Sequence, residues 1–268
     1  KLVKKDMEGF IPPQYISPTG KYIMWYDSKA RNYFTWDGAA VKNITEKIKV
    51  PLWDEEHDSP SNPPPYGVVK WQENEDYVFI NDRYGIWKVN PESKLIPINL
   101  VGARDKKTQY RYVQLDNEER FIKKGQKLNF RTFNEVSKKA GLWQGSYLDD
   151  IATFKLLKPI YLDNEYSISQ IMKAKNSEYY VFMLESFKES PFLYYWNENK
   201  DGGNGNILCS INPQQKDYNW GTAELFKWKA FNGKEATGIV YKPEDFNPKK
   251  KYPMIVYFYE KLSDGLHT

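Results

Sequence analysis

AELFKWKAFNGKEATGIVYKPEDF, residues 223–246, followed by KKYPMIVYFYEK, residues 250–261, decides how the chain is read. Asn232-Gly233 is a strong two-residue turn signal, because both central residues of a type I′ turn need positive φ. Trp228 and Phe231 stand before it, and Ala236, Gly238 and Val240 alternate after it, which predicts two antiparallel strands. Pro243 ends the second strand, and Pro248 with Lys249, Lys250 and Lys251 predicts a solvated loop. Met254 to Tyr259 is an unbroken apolar and aromatic run. A run without polar alternation predicts a strand covered on both faces, as in an α/β sheet.

The order of these features is more specific than any one of them. A Trp, a hairpin Gly, a Pro-terminated strand, a Lys251-Tyr252-Pro253 start and an apolar strand ending in Tyr259 resemble a known arrangement. It is the opening of the α/β-hydrolase domain in the prolyl oligopeptidase and dipeptidyl peptidase IV family of serine peptidases.

Composition sets the frame around this stretch. Nine Trp, 21 Tyr and 14 Phe in 268 residues favour strands, and 16 Pro with 16 Gly predict many turns. The net charge of +4 is mild and interspersed, so a nucleic-acid partner is not expected. Cys209 is the single cysteine, which excludes an intrachain disulfide and a thiolate zinc site and leaves the redox compartment open. No run approaches the roughly 18 apolar residues of a membrane span. Residues 1–10 are charged and lack a signal-peptide core, and nothing marks them as a natural start, so a longer protein is expected.

Upstream, one pattern recurs four times. A polar turn leads into an aromatic-led strand, and two further strands follow. Tyr22, Tyr77, Phe121 and Tyr179 anchor the copies, at spacings of 55, 44 and 58 residues. A period of roughly 40–50 residues with several short strands per unit predicts propeller blades. A β-sandwich with long loops is the alternative, but it predicts no repeat length. Residues 51–66 hold five prolines and predict an irregular insertion.

Ser17-Pro-Thr-Gly-Lys-Tyr22, Tyr84-Gly-Ile-Trp-Lys-Val89 and Asn212-Pro-Gln-Gln-Lys-Asp-Tyr218 resemble blades of bacterial dipeptidyl peptidase IV-like enzymes. The fold class expected is therefore mainly β: a partial β-propeller of about four blades over residues 1–218, then the first strands of an α/β-hydrolase domain over 219–268. The resemblance implies a peptidase whose propeller gates peptide substrates and whose catalytic domain lies mostly beyond this chain. It also implies export to the bacterial envelope, and it is compatible with a homodimer. The other reading is a non-catalytic module that binds proteins or glycans.

The chain has no G-x-S-x-G elbow. Gly145-Ser146 lacks the flanking glycines, and neither His57 nor His267 fits the order Ser, Asp, His. The triad is absent, so this chain alone cannot perform covalent peptide hydrolysis. The resemblance makes Tyr259 the phenol that donates to the oxyanion, although Glu260-Lys261 stands where the family usually continues with glycine. It makes Glu55 and Glu56 the carboxylate pair that grips a substrate's α-amino group. A packed strand tyrosine and a solvated acidic turn are the plainer readings. Asp54 to Asp58 and the glycine-rich segment 201–206 do not form convergent metal ligands, and no cofactor is expected.

Overall fold

The computed structural model describes residues 15–102, 104–146, 155–197, 205–259 and 261–268. These residues form no α-helix and are dominated by short antiparallel strands. The first sheet takes β1 (Ile23–Asp27), β2 (Asn32–Trp36) and β3 (Val41–Asn43) in chain order. The second has five strands in the order β7-β6-β5-β4-β9. They are β4 (Val68–Gln72), β5 (Val78–Asn81), β6 (Ile86–Val89), β7 (Ile98–Val101) and β9 (Phe121–Ile122), which runs parallel to β4. The third is ordered β12-β11-β10-β8, from β8 (Thr108–Val113), β10 (Lys127–Asn134), β11 (Ala140–Ser146) and β12 (Lys155–Asn164). The fourth runs in chain order from β13 (Ser167–Lys173) through β14 (Tyr179–Ser186) and β15 (Glu189–Asn197) to β16 (Asn206–Ser210). A separate hairpin of β17 (Thr222–Lys229) and β18 (Glu235–Lys242) follows.

By proximity the chain divides into two compact units. One holds residues 1–132 and 143–159, the other 133–142 and 160–268. In the first unit, β5 shows why its sequence reads apolar without a break. Val78 and Ile80 enter one core cluster with Met24, Tyr33, Trp71 and Val89. Phe79 between them enters a second cluster with Ile86, Leu100, Ile122, Leu128 and Phe130. Alternate side chains of a strand leave by opposite faces, so this sheet feeds one core on each side. A sandwich has one core between two sheets; a succession of sheets covered on both faces is the packing of propeller blades. The chain is mainly β, with the sheet succession of a partial propeller.

Three of the four sequence repeats coincide with one sheet each, whereas the third is split, its Phe121–Ile122 strand joining the second sheet and β10 and β11 the third. The turn before the aromatic is built alike in the other three. Ser17 N donates to Tyr22 O, Gln72 N to Tyr77 O and Ala174 N to Tyr179 O, at 3.0, 2.9 and 2.9 Å. Each bond closes a turn between residues five apart, and the strand on its near side is β4 in the second copy and β13 in the fourth. The sequence reading began each copy at the aromatic and so missed β4, β8 and β13. The turns also touch: Thr19 Oγ1 donates to Glu75 Oε2 at 2.9 Å, and Tyr22 stacks on Trp71 at 5.9 Å with 6° between planes.

In the second unit, Ile168, Tyr180, Phe182, Leu184, Phe192 and Trp196 are buried, and Tyr180 meets Trp196 edge-on at 5.6 Å. Phe187, in the β14–β15 turn, contacts Trp220 and Tyr241, and Trp220 Nε1 donates to its carbonyl. That tethers the hairpin to the fourth sheet.

Two expectations need correction. The β17–β18 turn is not type I′: Gly233 alone has positive φ, at 78°, and Gly233 N donates to Ala230 O while Ala230 N donates to Lys234 O. One left-handed residue after a type I-like bend gives a three-residue loop, for which glycine alone is needed. Met254 to Tyr259, expected as a covered strand, pairs with no described strand, and all six side chains are exposed. A central strand takes both its hydrogen bonds and its cover from neighbours. Among the described residues none is placed to supply them.

Candidate functional site

The insertion that carries Glu55 and Glu56 is closed at its neck. Asp54 N donates to Pro64 O at 2.8 Å and Tyr66 N to Leu52 O at 2.9 Å, with Trp53 and Pro65 bridged between. The prolines fix extended backbone and leave few N–H groups to satisfy, so the segment holds its shape without a sheet. Glu55 N donates to the Tyr66 hydroxyl at 2.9 Å, and Glu56 N to Asp54 Oδ1 at 3.1 Å. Burial pushes the Tyr66 phenol up to about 12, so it stays protonated.

Both carboxylates already have cationic partners. Arg104 grips Glu55 through two parallel bonds, Nη1 to Oε1 at 3.0 Å and Nη2 to Oε2 at 3.1 Å. Its hydrogen bond to Glu55 raises the Arg104 guanidinium above its ordinary range. Arg83 pairs with Glu56. The ring of Tyr84 meets both cations, its centroid 5.3 Å from the Arg83 guanidinium and 4.9 Å from that of Arg104. Arg111 donates to the Arg83 carbonyl at 2.8 Å and lies over Tyr66 at 5.7 Å. Sequence reasoning missed all three arginines. They stand 27 to 56 residues from the glutamates, and no local motif marks a pairing at that distance.

Arg83 is itself placed by a hydrogen-bonded turn, in which Asp82 N donates to Gly85 O at 3.0 Å. Asp82 sits before the start of β6, and its buried carboxylate accepts from Tyr84 N and Gly85 N at 2.6 Å each and from Trp87 Nε1 at 2.9 Å. A side chain on Gly85 would place Cβ 1.9 Å from the Val101 carbonyl oxygen.

Tyr259 lies elsewhere in the chain, 77% exposed, at the end of the uncovered apolar run. The preceding Lys251-Tyr252-Pro253 is ordered by Tyr252, whose hydroxyl accepts from Asn247 N at 2.9 Å and whose ring stacks on Phe246 at 5.2 Å. His57 Nε2 bonds Ser61 Oγ at 2.9 Å. No group of three or more His, Cys, Asp or Glu among the described residues could hold a metal ion. No helix among them is long and apolar enough to cross a membrane.

No family model matches the sequence, and no curated protein sequence matches it. Solved structures do resemble it. Prolyl oligopeptidase B from Galerina marginata, without ligand, aligns at 13% identity and a TM-score of 0.45 over 86% of this chain and 31% of that one. The same enzyme bound to a 25mer macrocyclization substrate gives 13% identity and 0.47 over 86% and 30%. The AtxE2 isopeptidase gives 14% identity and 0.42 over 83% and 31%. The chain spans about a third of the length of these proteins.

Proposed function

We propose that this chain is the propeller portion of a serine peptidase of the prolyl oligopeptidase and dipeptidyl peptidase IV type. Its sheets, residues 1–218, gate and orient peptides, and residues 219–268 open a catalytic domain that lies mostly beyond the chain. One observation carries this reading. A formed hairpin and an ordered Lys251-Tyr252-Pro253 lead into six consecutive apolar side chains, Met254 to Tyr259, that are all exposed. Exposed apolar surface is unfavourable at about 25 cal/mol per Å². A run of this composition is written for burial, and the order of features is that of a hydrolase opening.

Within this reading Tyr259 is the oxyanion donor, and burial of its strand gives the phenol its fixed direction. Glu55 and Glu56 bind the peptide's α-amino group. An ionised carboxylate has about four lone-pair positions, so each can accept from an ammonium while it keeps its arginine. Arg104 and Arg83 then hold the two carboxylates in place for the incoming charge.

The test is to expose the natural protein carrying this chain to a serine-reactive phosphonate and to dipeptidyl and prolyl chromogenic peptides. Labelling with turnover is expected. Glu55→Gln with Glu56→Gln should raise KM for free amino termini and leave N-blocked peptides unchanged. Absence of both labelling and turnover removes the peptidase reading.

A further inference from the structure

The β17–β18 hairpin is held at one end and bare at the other. At its base Tyr241, which pairs with Ala223, packs on Phe187 at 5.0 Å. From that pair to the last rung, Lys229 with Glu235, is about 20 Å of strand. The loop over residues 230–234 therefore stands clear of the tether.

This tip is apolar and basic at once. Phe231 is fully exposed in the loop. On the adjoining strand Phe226 and Trp228 are about half exposed and stack at 5.9 Å with 20° between planes. Their cross-strand partners are Gly238 and Ala236, and a β-carbon on Gly238 would meet the Trp228 ring at 3.2 Å. Small residues opposite large rings let the rings lie along the sheet. Lys227, Lys229 and Lys234 stand among these rings, and residues 225–234 contain no Asp or Glu. Lys227 pairs with Glu235 at 3.0 Å. Lys229 and Lys234 are exposed and form no ion pair among the described residues.

Exposed aromatic rings are covered either by a protein core or by a lipid interface, and charge separates the two. Met254–Tyr259 contains no charged residue and is suited to a core. Covering the tip with a core would take its ammonium groups out of water, and each would then need a carboxylate. At an anionic bilayer the rings enter the interface, where aromatic side chains concentrate, and the lysines reach the phosphates on flexible stems.

From this pairing of rings with unpaired cations, we propose that the tip of the β17–β18 hairpin is a membrane-contact site. It inserts Phe231 into the interface of a bilayer containing anionic phospholipid and sets Lys229 and Lys234 against the phosphates. The contact lies on one leaflet and does not span. This inference is independent of the peptidase reading.

Flotation of the natural protein with vesicles at about 1 mM lipid tests it, since so small an insertion binds reversibly. Vesicles of phosphatidylcholine and phosphatidylglycerol at about three to one should carry the protein, and pure phosphatidylcholine vesicles should carry several-fold less. The difference should shrink at high salt. Lys229→Gln with Lys234→Gln should weaken binding to the anionic vesicles by about fivefold per lysine. Phe231→Ser should weaken binding to both kinds of vesicle and leave the urea midpoint unmoved, because the ring buries nothing in the fold. Absence of binding to the anionic vesicles overturns the proposal, and peptide turnover in that case leaves the peptidase reading standing. Binding that survives all three substitutions also overturns it, because another surface is then responsible. So does binding that falls with the lysine changes and not with Phe231→Ser, which is adhesion by charge without insertion.

Discussion

Gly85 shows a glycine required by space alone. Its φ is not left-handed; the backbone of Val101 approaches so closely that no β-carbon fits. Gly85→Ala must push β6 from β7 or strain the Asp82 turn, so a loss of about 1–3 kcal/mol is expected in urea unfolding. Asp37 works by charge. Its carboxylate accepts from Ala40 N and Ala39 N, at 2.8 and 3.0 Å, and pairs with Lys42 at 2.9 Å. The Ala40 bond is the largest cause, and together they hold its carboxyl well below the usual carboxylate range. A depressed pKa gives stability that is present above the unfolded value, about 4 for a carboxylate, and lost as pH falls below it. The urea midpoint of the natural protein should therefore drop below that pH more steeply than that of Asp37→Asn. Equal slopes would mean that the turn bonds do not stabilise the folded state.

At the scale of elements, the aromatic-led strands were legible because alternation and a leading Tyr or Phe are local signals. Tyr22, Tyr77, Phe121 and Tyr179 each mark or immediately precede a strand. The strands before the turns were not read, since Val68–Gln72 and Ser167–Lys173 are ordered by partners and not by a motif. The Asn232-Gly233 turn was legible as a turn but not as a type, because one further residue in the loop changes which φ values are needed. The acidic pair was legible and its partners were not. Arg104, 38% exposed at its side chain, meets Glu55 in a two-bonded geometry. A double-mutant cycle of Glu55→Gln and Arg104→Ala should give a coupling of about 0.5–1 kcal/mol that shrinks with salt. No coupling at low salt would show that the pair does not pin the insertion.

At the scale of the whole molecule, β5 explains why apolar runs misled and guided at once. Val78-Phe79-Ile80 is apolar because sheets cover both faces, and Met254–Tyr259 has the same character without that cover. Composition records the environment for which a segment is suited. It does not record whether the neighbours are in the same stretch of chain. The proposed function is the statement that such neighbours exist in the natural protein. Amide hydrogen exchange over residues 254–259 of that protein measures it most directly. Protection comparable to β5 is the predicted result; exchange as fast as an unpaired loop would contradict the account.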